Sequence, residues 1–173
     1  MNKIVFLDID GVLNSTAWFK ERGKTTGKTY ADDLAFYSDP GCIARLNLIT
    51  EVTGAQIVLS SSWRHAAEWE ETATILKERR GMTGTMIGRT PREDEQDHRV
   101  FKRYQRRNPT SQDHYPRGYE IQQWLDANPP CSFVILDDDD DMEHLGYRLV
   151  QTSFETGGLQ LGHVRRAIVM LGQ

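Results

Sequence analysis

The chain has 173 residues, 38% of them hydrophobic, which suffices for one sizeable core, so residues 1–173 are expected to form a single domain. Its 25 acids against 21 bases give a formal net charge of -4, which excludes the bulk attraction of a polycation for nucleic acid or an anionic membrane. The opening MNKIVFLDIDGVLNS is a short apolar run cut by two carboxylates. It fits neither a signal-peptide core nor a membrane span, and a cytoplasmic protein with no membrane partner is expected. Cys42 and Cys131 lack metal-ligand spacing and are too few for a disulfide scaffold, so both read as reduced thiols.

Lys3–Leu7 is β-branched, aromatic and uninterrupted, the pattern of a strand buried on both faces. Residues 14–38 follow it and mix Gly, Lys and Thr with Trp18, Phe19, Tyr30, Phe36 and Tyr37. That is too long and too aromatic for a turn and reads as a lid or flap. Asp39 can cap a helix that starts at Pro40, turns Ile43, Leu46, Ile49 and Val52 to one side, and ends at Gly54. A second strand is expected over Gln56–Leu59, a helix over Ala66–Arg80 stopped by Gly81, and a weaker strand over Thr85–Ile87.

Residues 89–117 hold eight Lys or Arg (89, 92, 99, 102, 103, 106, 107, 117) against five acids, with Phe101, Tyr104 and Tyr115 interleaved. A helix after Arg117 places Ile121, Trp124 and Leu125 on one face and closes at Asn128, Pro129 and Pro130. Ser132–Leu136 and Arg148–Val150 complete five candidate strands, and a last helix near Leu161–Leu171 stacks Leu161, Val164, Ile168 and Leu171. Strands alternating with helices predict an α/β fold on a mainly parallel sheet.

Ligands of such sheets bind beyond the carboxyl ends of the strands. Here those ends read Asp8-Ile9-Asp10-Gly11, Ser60-Ser61-Ser62-Trp63-Arg64, and the aspartate run Asp137–Asp141. Two carboxylates two residues apart can attack an electrophile and assist from the side, with Gly11 allowing the sharp turn. A second carboxylate cluster on an adjacent strand calls for a cation, and oxygen ligands of this kind suit Mg²⁺, which in turn favours phosphate. Serine hydroxyls and a fixed cation such as Arg117 at a helix start would hold the other phosphoryl oxygens.

On these residues the sequence resembles the haloacid dehalogenase (HAD) superfamily of aspartate-nucleophile phosphohydrolases. FLDIDGVLN looks like its first motif and IVLSSS like its second; Arg117 stands at the third-motif position and FVILDD looks like the fourth. The combination of SSSWR, RGYEIQQWL and VILDDD is similar to the phosphatase domain of Swiss Army Knife RNA repair proteins. The resemblance implies a Rossmann-like three-layer sandwich. It implies Asp8 as nucleophile, forming an aspartyl-phosphate, and Asp10 as the acid that protonates the leaving group and then activates water. It implies Mg²⁺ held by the Asp8 carboxylate, the Asp10 backbone carbonyl, and Asp138 with Asp137 close by. Phosphate contacts fall to Arg117 and to Ser60, with Ser61 as the alternative. Many members of the superfamily carry a second fourth-motif acid where Met142 stands here, and Asp139–Asp141 are alternatives for it; otherwise these three are expected to face solvent.

Around this centre Trp63 is expected as a wall of the site and Trp124 in the core, while Arg64 can either touch substrate or pair structurally. The basic segment 89–117 reads either as a solvated loop or as a groove for a nucleotide or nucleic-acid end, with phosphates on arginines such as Arg106 and a base on Tyr104 or Tyr115. The resulting expectation is a Mg²⁺-dependent phosphatase for the terminal phosphate of a nucleotide or polynucleotide. The alternatives are a sugar or metabolite phosphatase of the same superfamily, and a phosphate- or nucleic-acid-binding module without turnover.

Overall fold

The structure is a computed structural model that describes residues 2–23, 29–92, 95, 102, 116–130 and 132–172. Five strands, β1 (Lys3–Leu7), β2 (Gln56–Leu59), β3 (Met86–Arg89), β4 (Ser132–Asp137) and β5 (Leu149–Gln151), form one sheet in the order β3-β2-β1-β4-β5. Every pairing is parallel. The first and most apolar strand therefore sits at the centre, flanked by the two next most apolar, as full burial requires.

Alternate residues of the strands feed two cores. Val5, Leu7, Ile57, Leu59, Val134 and Leu136 pack on one face against Leu34, Leu46, Leu76 and Val164. Ile4, Phe6, Val58 and Ile135 pack on the other face with Ile121, Leu125, Met142 and Leu145. The helices are α1 (Thr16–Arg22), α2 (Tyr30–Tyr37), α3 (Pro40–Thr53), α4 (Trp69–Arg80), α5 (Arg117–Ala127) and α6 (Leu161–Leu171). This is the expected three-layer, Rossmann-like α/β arrangement.

Local chemistry explains the boundaries. Asp39 accepts from Gly41 N at 2.7 Å to cap α3, Pro40 occupies its first turn, and Gly54 ends it at φ 68. Trp124, expected in the core, is half-buried and packs against its rim, meeting Phe6 edge-on at 5.3 Å.

Several expectations shift. Val52 and Leu161 are exposed rather than packed, because the cover on α3 and α6 is narrower than their apolar stripes. The helix expected from Ala66 begins at Trp69, and Ser62–His65 forms a 3₁₀ turn instead. Residues 14–38 contain α1 and α2, with α2 packed on α4 rather than standing free. Cys42 is a buried free thiol, while Cys131 lies outside the described residues. No helix among the described residues is long and apolar enough to cross a membrane.

Candidate active site

Register builds the site. Leu7 pairs with Leu59 on one side and with Leu136 on the other. The next residues continue the ladder: Asp8 N donates to Leu136 O at 3.0 Å, Ser60 N to Leu7 O at 2.8 Å, and Thr152 N to Asp137 O at 2.9 Å. Three adjacent strands thus carry Asp8, Ser60 and Asp137 in one row at the carboxyl edge of the sheet. All three are buried.

Asp8, Asp137 and Asp138 each offer a carboxylate oxygen, and these oxygens lie within 4.8 Å of one another. Burial pushes the Asp8 carboxyl up to about 6, opposed by Arg117 and by a hydrogen bond from Ser61. Burial and then the neighbouring Asp8 push Asp137 up to about 8, again against Arg117. Burial and Asp139 raise Asp138 as well. The cluster is short of positive charge.

Geometry says what would supply it. Oδ1 of Asp137 accepts from Asp139 N at 3.1 Å, whereas the buried Oδ2 accepts no hydrogen bond among the described residues. An orphaned buried carboxylate oxygen, with two more carboxylates in reach and only hard oxygen donors present, fits a small divalent cation such as Mg²⁺. Gly11 makes room for this arrangement. It sits at φ 69, and a Cβ there would overlap the carboxyl of Asp138.

Arg117 opens α5 and aims back at the row. Its NH1 donates to Ser60 O, its Nε lies 3.7 Å from Asp137 Oδ2, and its own backbone N donates to Asp141 Oδ2 at 2.9 Å. Burial works against its charge, but Asp8, Asp137, Glu120 and Asp141 outweigh that and hold the guanidinium more basic than usual. Asp141 is therefore half-buried at a helix start, a correction to its expected solvent-facing role, while Asp139 and Asp140 are exposed. The close approach depends on Gly118, where a Cβ would overlap the Met142 backbone.

The serines divide the work. Ser61 hydrogen-bonds Asp8 and also accepts from Trp63 N at 3.4 Å. Ser60 contributes its carbonyl to Arg117, and its buried hydroxyl has no hydrogen-bond partner among the described residues.

Asp10 stands beside the acidic cluster, and its side chain is held from two directions. Asn14 Nδ2 donates to Oδ1 at 2.7 Å, and Trp63 Nε1 donates to Oδ2 at 2.8 Å. Asn14 also accepts from Gly11 N at 2.9 Å, which closes the turn after β1. Trp63 is thus a wall of the site, as expected. Asn14 was not singled out from sequence; the available signal was an amide four residues after Asp10 on a turn that must fold back.

Of the two readings open for Arg64, substrate contact or structural pairing, the structure shows the pairing. Arg64 is 2% exposed, and its guanidinium donates to Glu120 Oε1 at 2.6 Å and to Ser61 O at 2.8 Å. In the basic segment, Arg89 bonds both oxygens of Glu95, and Arg92 bonds Glu68 and the carbonyls of Arg64 and Ala67. Tyr104, Arg106 and Tyr115 lie outside the described residues.

Comparison with curated proteins and with solved structures found no match. A family model described as the HAD domain in Swiss Army Knife RNA repair proteins matches residues 4–164, so the chain belongs to that family of HAD-type phosphohydrolases.

Proposed function

We propose that the protein is a Mg²⁺-dependent phosphomonoesterase that removes the terminal phosphate of a nucleotide or polynucleotide through an aspartyl-phosphate. The observation that carries this reading is the row of Asp8 and Asp137 with Asp138 beside them and Arg117 3.7 Å from Asp137. Asp8, Asp137 and Asp138 would hold the metal together with the backbone carbonyl of Asp10. Bound there, Mg²⁺ supplies charge that lets Asp8 stay ionised and a phosphate approach it.

The chain's own groups do the rest. Asp8 attacks phosphorus, and the ester oxygen leaves as Asp10 gives it a proton; the same carboxylate then takes a proton from the water that hydrolyses the acyl phosphate. Arg117 holds the phosphoryl oxygens together with the hydroxyl of Ser60 or, alternatively, Ser61, and Asn14 and Trp63 keep Asp10 aimed. The nucleotide preference draws support from the family description and, more weakly, from the basic segment, since Arg89 and Arg92 are already engaged within the chain. Phosphate release from a panel of nucleotides, phosphorylated oligonucleotides and sugar phosphates, with and without Mg²⁺, tests the reading. Turnover that survives chelation, or a strong preference for sugar phosphates, would overturn it.

A further inference from the structure

The segment expected to be a lid shapes a second feature beside the acids. α1, α2 and the loop before α6 surround an open cleft of about 620 Å³, within the size range of small-molecule pockets. Its walls are the rings of Phe19, Tyr37, Trp63 and Phe154, with Thr16, Gly23 and exposed Lys20 also in the lining. Phe19 meets Tyr37 at 4.7 Å and Phe154 at 5.4 Å, both edge-on, and Thr16 N donates to Phe154 O at 2.8 Å. Phe19, Tyr37 and Phe154 are therefore held against one another, and Trp63 against Tyr30, although each of the four cleft rings is only half-buried. Aromatic surface left open in this way marks a binding site more often than a defect in the core.

Trp63 connects this cleft to the chemistry. Its ring lines the cleft while its indole N–H bonds the Asp10 carboxylate at 2.8 Å. In the hydrolase reading, on which this step rests, Asp10 faces the leaving group, so the cleft lies where the body of the leaving group must go. Polyol hydroxyls would lose their water against four rings and gain few partners there, whereas a planar heteroaromatic ring gains stacking and edge contacts. Among the described residues the lining holds a lysine and no carboxylate, which suits a group attached to a phosphodiester or phosphomonoester.

We propose that this cleft receives the nucleobase of the leaving-group nucleotide. Base recognition then belongs to the lid helices rather than to the basic segment, and an aromatic base is the feature that separates substrates from simple phosphomonoesters.

Two measurements on the intact protein test this. Phosphate release from adenosine 5′- and 3′-monophosphates and from 5′- and 3′-phosphorylated oligonucleotides is compared with release from ribose 5-phosphate. The expected result is a kcat/KM at least about tenfold higher for a nucleotide arm, in line with the worth of one base–aromatic stack, and which arm leads identifies the source of the base. Phe19→Ala should raise KM for that nucleotide by a similar factor, a larger rise than for ribose 5-phosphate; an equal rise for both would count against base recognition by this cleft. Equal rates on ribose 5-phosphate and every nucleotide in the wild type would overturn the proposal without touching the hydrolase reading. Calorimetric titration with adenosine and with ribose, neither of which carries a phosphate, decides the cleft even if no substrate turns over: adenosine is expected to bind and ribose not. Failure of adenosine to bind better than ribose sinks the proposal.

Discussion

Trp63 donates its indole N–H to Oδ2 of Asp10 across 53 residues of sequence, at 2.8 Å. The contact spans two strand ends, β1 and β2, and gives the second aspartate a fixed direction that Asn14 reinforces from the other oxygen. General acid–base assistance contributes about 10²–10⁴ in rate, and only when the group is held within hydrogen-bond reach of the proton. Trp63→Phe keeps the ring and removes the donor. Its kcat should fall by about tenfold or more on a nucleotide, whose alkoxide needs a proton, and barely at all on p-nitrophenyl phosphate, whose leaving group does not. An equal loss on both substrates would make Trp63 merely structural.

Gly11 and Gly54 offer a matched pair for testing the proposed metal site. Both have positive φ, but a Cβ at Gly11 meets the Asp138 carboxyl while one at Gly54 meets nothing within 4 Å. Gly54→Ala should cost about 1 kcal/mol of backbone strain and leave the Mg²⁺ requirement intact. Gly11→Ala should in addition weaken Mg²⁺ activation by about tenfold or more, because Asp138 must move. Titrating activity against Mg²⁺ in both variants checks this; identical metal curves would remove Asp138 from the site.

The raised carboxyls give a pH signature in chelator. The ordinary carboxyl value is 3.8, and Asp8 and Asp137 are pushed up to about 6 and about 8. Between those values the folded protein holds more protons than the unfolded chain, so stability falls as pH rises from about 4 through about 8. A divalent cation needs the same groups deprotonated, so its stabilisation should grow over that interval. Melting curves at pH 5 and pH 8, with EDTA or Mg²⁺, are expected to show a larger metal-induced rise at pH 8. A shift that is larger at pH 5 would contradict the assignment of these acids as ligands.

Arg64 and Glu120 are 2% and 4% exposed and meet at 2.6 Å. Removing one partner leaves the other as an uncompensated buried charge, a loss of about 3–5 kcal/mol. Glu120→Ala should therefore melt well below the wild type in thermal denaturation, and a change under about 1 kcal/mol would show that Arg64 is solvated by some other route.

Much of this was legible before the fold. Lys3–Leu7 and Gln56–Leu59 match their strands residue for residue because uninterrupted β-branched runs bounded by polar clusters leave few alternatives. Asp8, Asp137 and Asp138 could be grouped because strands end where apolar runs end, and parallel neighbours share an edge. Partnership across the sheet was not legible. The helix start singles out Arg117, but nothing local shows that Arg64 turns inward to Glu120, since that follows from how the second strand and α5 approach each other. Likewise Asp141 reads as one more acid in a run, and only the arrival of α5 makes it the acceptor for Arg117 N.

The central claim, that Asp8 is a nucleophile, is tested most directly by acid-quenching the enzyme during turnover and mapping phosphorylated peptides by mass spectrometry. The account predicts a Mg²⁺-dependent acyl phosphate on the peptide carrying Asp8, absent from Asp8→Asn, which should also lose turnover. Full phosphatase activity in Asp8→Asn, with no phosphorylated Asp8 in the wild type, would contradict it.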